Sequence, residues 1–195
     1  MNDTFMKERP VFPLILSMAM PMVISMLVNS IYNIVDQIFI GQGVGELGNA
    51  ATTVSFPMVT IMLAFATLIG SGGSAYAALK LGEGKNEEAD RTLNNVFVMA
   101  LGAGALLLAA GLLFLEPMLR VFGAGEAVMP YAKDYASILL LGAPFNMMGI
   151  ALSNMARTDG SPRLSMYGIL IGAILNTVLD PIYIFVFHWG VKGAA

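Results

Sequence analysis

Long apolar runs alternate with short polar or glycine-rich stretches along the chain. The hydrocarbon core of a bilayer is about 30 Å thick, so a helix needs roughly 20 apolar residues to cross it. Each of the five runs is near that length or longer, and the pattern predicts five membrane-spanning helices. They cover about residues 12–40, 50–81, 93–121, 129–155 and 164–187, and a sixth helix is predicted to start after residue 190.

Basic residues lie in the polar stretches and collect on one predicted side of the membrane. That side carries Lys7, Arg9, Lys80, Lys85, Arg91, Arg157 and Arg163, whereas the other side carries Arg120, Lys133 and Lys192. Because lysine and arginine favour cytoplasmic loops, the N-terminus is predicted to lie in the cytoplasm. The sequence therefore predicts a multi-pass protein of the cell membrane with the lipid bilayer as its surroundings.

Composition supports this prediction and excludes several classes of function. Hydrophobic residues make up 57% of the 195 residues and charged residues only 12%, against about 25% in a soluble domain. There is no basic face that would favour nucleic acid. The absence of cysteine excludes disulfides, zinc–thiolate sites and cysteine nucleophiles.

Two aspartates interrupt apolar runs at positions where a charge is costly. Asp36 lies near the end of the first run and Asp180 in the last third of the fifth. An acid at membrane depth usually faces a polar cavity or an ion pathway. Each acid has polar neighbours one helical turn away. These neighbours are Asn29 and Asn33 before Asp36, and Asn176 and Thr177 before Asp180.

The predicted topology places both aspartates in the outer half of the membrane, so they are expected to share one site. Burial disfavours an ionised carboxylate, and two neighbouring acids disfavour double ionisation. Such a pair can bind and release a proton, or bind Na⁺ at Asp36 and Asp180 with amide and carbonyl oxygens around it. Pro181 cannot donate to the carbonyl of Thr177 and frees that oxygen for the ion. The residues do not distinguish H⁺ from Na⁺.

Further residues are predicted to support this site. Asn33 is expected beside Asp36, and Asn154 in the fourth segment is a weaker candidate for the same surroundings. Pro21 interrupts the helical hydrogen bonds of the first segment and is predicted to be a hinge. Tyr32 is expected near the membrane interface, where tyrosine is enriched.

Three stretches resemble the multidrug and toxic compound extrusion (MATE) transporters. They are PMVISMLVNSIYNIVDQIFIGQGVGELGNAA, RTDGSPR, and NTVLDPIYIF followed by WGVKGAA. The resemblance implies an all-α membrane protein of two six-helix lobes, of which residues 1–195 are the N-terminal lobe and the C-terminal lobe is absent. It also implies export of cationic or amphipathic drugs in exchange for H⁺ or Na⁺. Asp36, Asn176 and Asp180 are then the coupling site, and no other cofactor is implied.

Three other functions compete with transport of drugs. A lipid-linked saccharide flippase would need basic residues in its cavity, and none lies within a predicted span away from its ends. An intramembrane aspartyl protease would use two aspartates, but neither acid here has the G-x-G-D context of such enzymes. A membrane scaffold without transport remains the third alternative, so the sequence favours a transporter over an enzyme.

Overall fold

Polar turns end the helices close to the positions that the sequence predicts. The computed structural model describes residues 11–195, and this part of the chain contains no strand. Its elements are α1 (Val11–Gly43), α2 (Glu46–Gly82), α3 (Asn86–Leu113), α4 (Leu115–Val121), α5 (Met129–Thr158), α6 (Pro162–Pro181), a π-helix (Ile182–Val186) and α7 (Val191–Ala194). Five stretches of these residues are long and apolar enough to span a membrane, which confirms the all-α membrane fold class.

The third predicted segment is wrong as a single helix from 93 to 121. The chain breaks at Phe114, whose backbone has φ −109° and ψ 21°, and α4 follows. Pro117 has no N–H to donate to the carbonyl of Leu113, so a continuous helix would lose a hydrogen bond there. α3 instead begins seven residues earlier than predicted, at Asn86, with Glu87 and Glu88 favourably placed in its positive first turn.

α4 is tied to α5 by a cluster of charges outside the spans. Glu116 accepts hydrogen bonds from Lys133 of α5 and from Arg120 of α4, the latter at 3.0 Å. The hydrogen bonds from Lys133 and then Arg120 hold the pKa of Glu116 below its usual value. α4 therefore lies against the start of α5 as a short surface helix and does not extend the span of α3.

The central packing unit is formed by α2, α3 and α5, which contact one another extensively. Glycine brings their backbones together. A methyl group at Gly70 of α2 would lie 2.9 Å from the Cα of Ala151 in α5, and one at Gly104 of α3 would collide with the backbone of Pro144. The unit is thus packed through small residues, as is common between membrane helices.

α1 and α6 form a second pair beside this unit. The ring of Phe39 meets the edge of Phe185 at a centroid distance of 6.2 Å, and Gly43 packs on Ile184. The fifth predicted segment, 164–187, corresponds to the candidate span Pro162–Val186, within which the α-helix ends at Pro181 and a π-helix follows. π-helical turns are often found at functional sites, and this one directly follows Asp180.

Candidate functional site

Asp36 lies on the face of α1 that turns toward the rest of the bundle. Among the residues of α1 whose burial is described, those that are buried recur at helical spacing; they are Pro21, Ser25, Asp36 and Ile40. Only 9% of the surface of Asp36 is exposed. The lone acid of this helix is therefore held in the protein interior and does not reach out to the membrane surface.

Asp180 is placed at the end of α6, immediately before Pro181 and the π-helix. It is 3% exposed. Asn176 lies one turn earlier on the same helix, and Thr177 donates its hydroxyl to the carbonyl of Ala173 at 2.8 Å. The hydroxyl of Thr177 is thus engaged with its own helix.

The two aspartates come together in the structure. Their carboxyl groups are close enough to interact electrostatically. One oxygen of each carboxyl group and the amide oxygen of Asn176 are buried without a hydrogen-bond partner in the described part of the chain. A buried polar atom without a partner costs free energy, so these three acceptors require a proton, a cation or water.

Two tyrosines share the site, and sequence reasoning missed both. The ring hydroxyls of Tyr32 of α1 and Tyr135 of α5 interact electrostatically with both Asp36 and Asp180. Tyr32, expected near the membrane interface, is half-buried and lies one turn before Asp36 on α1. That spacing was a signal in the sequence, whereas Tyr135 is brought in by tertiary packing alone.

Asn33 lies on a different face of α1 from Asp36. Its side chain is exposed and donates to the carbonyl of Asn29 at 2.6 Å. With Gln37, Gln42 and Asn49 it lines an open cavity of about 670 Å³ between α1 and the start of α2. α1 therefore carries an acid on its inner face and a row of carboxamides on an outer one.

Asn154 is not brought to the aspartates. It lies nineteen residues after Tyr135, about 28 Å along an ideal helix. Its side chain packs against Gly70 of α2. The structure thus places Asn154 in the contact between α2 and α5, near the opposite end of the bundle from the acids.

The donor set of the site suits a proton or a hard monovalent cation. Two carboxylates and a carboxamide oxygen are all oxygen ligands, which hard cations prefer. No cluster of three or more His, Cys, Asp or Glu side chains able to hold a metal occurs in residues 11–195. The arrangement can exchange one positive charge for another.

Comparison with known proteins assigns this arrangement to a family. The sequence model of the MatE family matches residues 21–182, which include α1 to α6 almost entirely and all three predicted coupling residues. The chain belongs to the MatE family. The resemblance predicted from the sequence is thereby confirmed, and the MatE fold makes this a multi-pass membrane protein of a transporter family.

Relatives of this MatE chain are longer than the chain itself. The multidrug export protein MepA of Staphylococcus haemolyticus is 29% identical over 191 residues, which are 98% of this chain and 42% of that protein. A solved structure of the MATE multidrug transporter DinF-BH has a TM-score of 0.90 and 34% identity, over 96% of this chain and 43% of that one. MATE in the bent conformation has a TM-score of 0.86 and 31% identity, over 93% and 40% of the two chains. The chain thus spans about 42% of the length of the curated relatives it matches.

Proposed function

We propose that residues 1–195 form the N-terminal lobe of an ion-coupled multidrug exporter, with Asp36, Asn176 and Asp180 as its coupling site. A second lobe of six helices would complete the transporter. The relatives named as multidrug export proteins and multidrug transporters support export of drugs. The coupling ion is H⁺ or Na⁺, and the exported compounds are cationic or amphipathic.

One observation carries this proposal. Four buried side-chain atoms lack a hydrogen-bond partner in the described chain, and three of them are oxygens of Asp36, Asn176 and Asp180, the residues that the sequence selects. The fourth belongs to Asn49. Structural carboxylates between helices are normally hydrogen-bonded, so a purely structural role leaves the oxygens of the two acids unexplained. A site that alternately binds and releases a cation needs oxygen atoms that accept no hydrogen bond from the protein and are therefore available to the cation.

The proposed cycle follows from the charge of the pair. With the ion bound, the site carries one negative charge less, and α1 and α6 pack closely around it. Loss of the ion leaves negative charge beside Tyr32 and Tyr135, whose hydroxyl groups can donate to it. Export requires that the two states differ in affinity for ion and drug, because a ligand shifts an equilibrium only through that difference.

The carboxamide face of α1 is the proposed contact for the exported compound. Asn33, Gln37 and Gln42 lie at membrane depth and would be costly against lipid tails. Thr52 of α2 donates a hydrogen bond to the side-chain oxygen of Gln37 at 3.1 Å. This bond fixes the cavity wall at the residue that directly follows Asp36 in the sequence. α1 would then connect an ion site on one face with a drug path on another.

The orientation remains a proposal. Lys7 and Arg9 lie outside the described residues. The other five basic residues of the predicted cytoplasmic side lie at the turn from α2 to α3 and the turn from α5 to α6. The positive-inside rule supports a cytoplasmic N-terminus, which puts the two aspartates in the outer half of the cell membrane.

Export is tested with the full-length protein in cells that lack their own multidrug exporters. Cells that make the protein are expected to accumulate less ethidium than cells carrying an empty vector. Ionophores that together collapse the H⁺ and the Na⁺ gradients should remove the difference. Equal accumulation with and without the protein, at a verified level in the membrane, would contradict the proposed export.

Tyr135→Phe is expected to strengthen binding of the coupling ion while export persists, because the ion-free, negatively charged state loses a hydrogen-bond donor. Loss of one hydroxyl hydrogen bond is worth roughly 1 kcal/mol, which is about a fivefold change in affinity. The measurement is the H⁺ or Na⁺ concentration that gives half-maximal efflux in proteoliposomes. Tyr131→Phe, one turn away and exposed, is the matched control. A shift no larger than that of the control would exclude Tyr135 from the site.

Pro21→Ala is expected to lower export several-fold and to change its pH dependence. Pro21 is buried fifteen residues before Asp36, about 22 Å along an ideal helix. Ser25 donates to the carbonyl of Pro21 at 2.7 Å, and both features favour bending at this point. Solved MATE structures in a straight and in a bent conformation are consistent with this proposal.

The control for this hinge is Pro57→Ala, which removes a proline from within α2. Both variants are assayed for ethidium efflux at several pH values, at matched protein levels. The hinge hypothesis requires that the Pro21 variant alone changes the pH profile. An unchanged rate and profile for Pro21→Ala would eliminate it.

A further inference from the structure

Two arginines differ from every other lysine and arginine in residues 11–195. Six of the eight lysines and arginines there form ion pairs with carboxylates at 4.0 Å or less. They are Lys80, Lys85, Arg91, Arg120, Lys133 and Lys192. Arg157 and Arg163 form none, and both belong to the RTDGSPR stretch between α5 and α6. The proposed transport cycle assigns no role to this stretch.

Arg157 is held in a fixed position with its charge unpaired. It is half-buried at the end of α5, and its Nε donates to the hydroxyl of Ser165 at 3.2 Å. Ser165 is 6% exposed, so it anchors the guanidinium from inside the bundle. The two terminal nitrogens remain available as a planar fork, the geometry that binds phosphate oxygens in pairs.

Arg163 adds a second charge at the same turn. Its side chain is exposed in the first turn of α6, a helix of 20 residues whose N-cap residue Ser161 makes no capping hydrogen bond through its side chain. The N-terminal end of a helix carries partial positive charge, which adds to that of the two arginines. Asp159 in the same turn forms no ion pair with either arginine in the described chain.

We propose that Arg157 and Arg163 form a binding site for the phosphate of an anionic phospholipid headgroup. The turn joins two membrane spans, Met129–Thr158 and Pro162–Val186, so it lies where lipid headgroups lie. Basic pockets between membrane helices bind such headgroups through these contacts. A lipid phosphate is present there at far higher local concentration than a free anion, which favours the lipid as the source.

The test compares lipid retention by the full-length protein in native mass spectrometry. Phosphatidylglycerol and phosphatidylcholine are the two probes, offered at equal concentration in detergent. Wild type is expected to retain phosphatidylglycerol preferentially. Arg157→Gln/Arg163→Gln should lower its apparent affinity about 30-fold, the product of two basic contacts near a membrane surface. Arg157→Lys should lose part of the preference, because lysine keeps the charge and loses the fork.

The matched control is Arg91→Gln, which removes an arginine paired with Glu87 on the same side of the bundle. It should leave the lipid preference unchanged. Equal retention of the two lipids by wild type would overturn the proposal, and so would an unchanged preference in the double variant. Displacement of phosphatidylglycerol by millimolar inorganic phosphate would also overturn it, since the site would then take a free anion. Retention of folding in each variant is verified by its thermal unfolding.

Discussion

Asp36→Asn and Asp180→Asn are each expected to abolish ethidium efflux by the full-length protein. Asparagine has nearly the shape of aspartate but carries no charge and cannot exchange a proton for a cation. Either substitution leaves a single acid, so the ion loses one of the two carboxylates that are proposed to bind it. Efflux should fall to that of cells without the transporter, while the amount of protein in the membrane stays the same.

Asp90→Asn is the matched control, because it makes the same chemical change in an exposed acid that forms no ion pair in the described chain. It should export ethidium at the wild-type rate. Normal efflux by both Asp36→Asn and Asp180→Asn would refute the coupling site. Efflux that is lost together with the protein itself would instead identify the acids as structural, and membrane fractions separate these outcomes.

Proteoliposomes then identify the coupling ion without further variants. An imposed pH gradient and an imposed Na⁺ gradient are applied separately to vesicles containing wild-type protein. The coupling ion is the one whose gradient drives uptake or release of ethidium. The same gradient should not drive ethidium transport by Asp36→Asn. That loss would show that the coupling ion acts through the site.

The number and type of the membrane helices follow from the sequence because hydrophobic length is a local property. Five apolar runs become five spans, and the family resemblance is confirmed over residues 21–182. Hydropathy does not predict the break at Phe114, because apolar residues continue across it and Pro117 follows only three residues later. Hydropathy alone does not distinguish a helix end in a surface turn from a longer span.

The sequence predicts only residues of the candidate site that lie on the same helix as one of the aspartates. Asn176 lies one turn from Asp180 both in sequence and in the structure. Its amide oxygen lacks a hydrogen-bond partner in the described chain, as does one carboxyl oxygen of each acid. Asn33 lies three residues before Asp36, a spacing similar to that of Asn176 and Asp180, but it faces the open cavity. Helical spacing shows which residues share a stripe of the helix surface, and it does not show which other helix packs on that stripe. Tyr135 comes from a helix far along the chain from Asp36 and could be found only by packing.

The glycines illustrate the same limit. Gly102 and Gly104 of α3 both suggest close helix packing when only composition is considered. In the structure a methyl group at Gly102 would meet open space, whereas one at Gly104 would meet the backbone of Pro144. Two positions on one helix point in different directions, and the sequence does not reveal which of them faces α5.

Gly104→Ala is therefore expected to destabilise the protein, by about 1–3 kcal/mol, through overpacking. The added methyl group would collide with the Cα of Pro144 and lie 2.9 Å from its nitrogen and 3.2 Å from the carbonyl oxygen of Ala143. These are backbone atoms of α5, so no side chain can rotate away to make room. Relief requires α3 and α5 to separate, which also disturbs the contact of Gly111 with Leu140 two turns along α3.

Gly102→Ala is the control, and the difference between the two variants is the measurement. Alanine favours a helix over glycine by roughly 0.5–1 kcal/mol, so this variant should be as stable as wild type or slightly more stable. Thermal unfolding of the full-length protein in detergent, followed by the loss of its monodisperse peak in size-exclusion chromatography, gives both values. Equal midpoints for the two variants would show that α3 and α5 do not approach at Gly104. If α3 and α5 approach closely at Gly104, the unfolding midpoint should be lower for Gly104→Ala and unchanged or higher for Gly102→Ala.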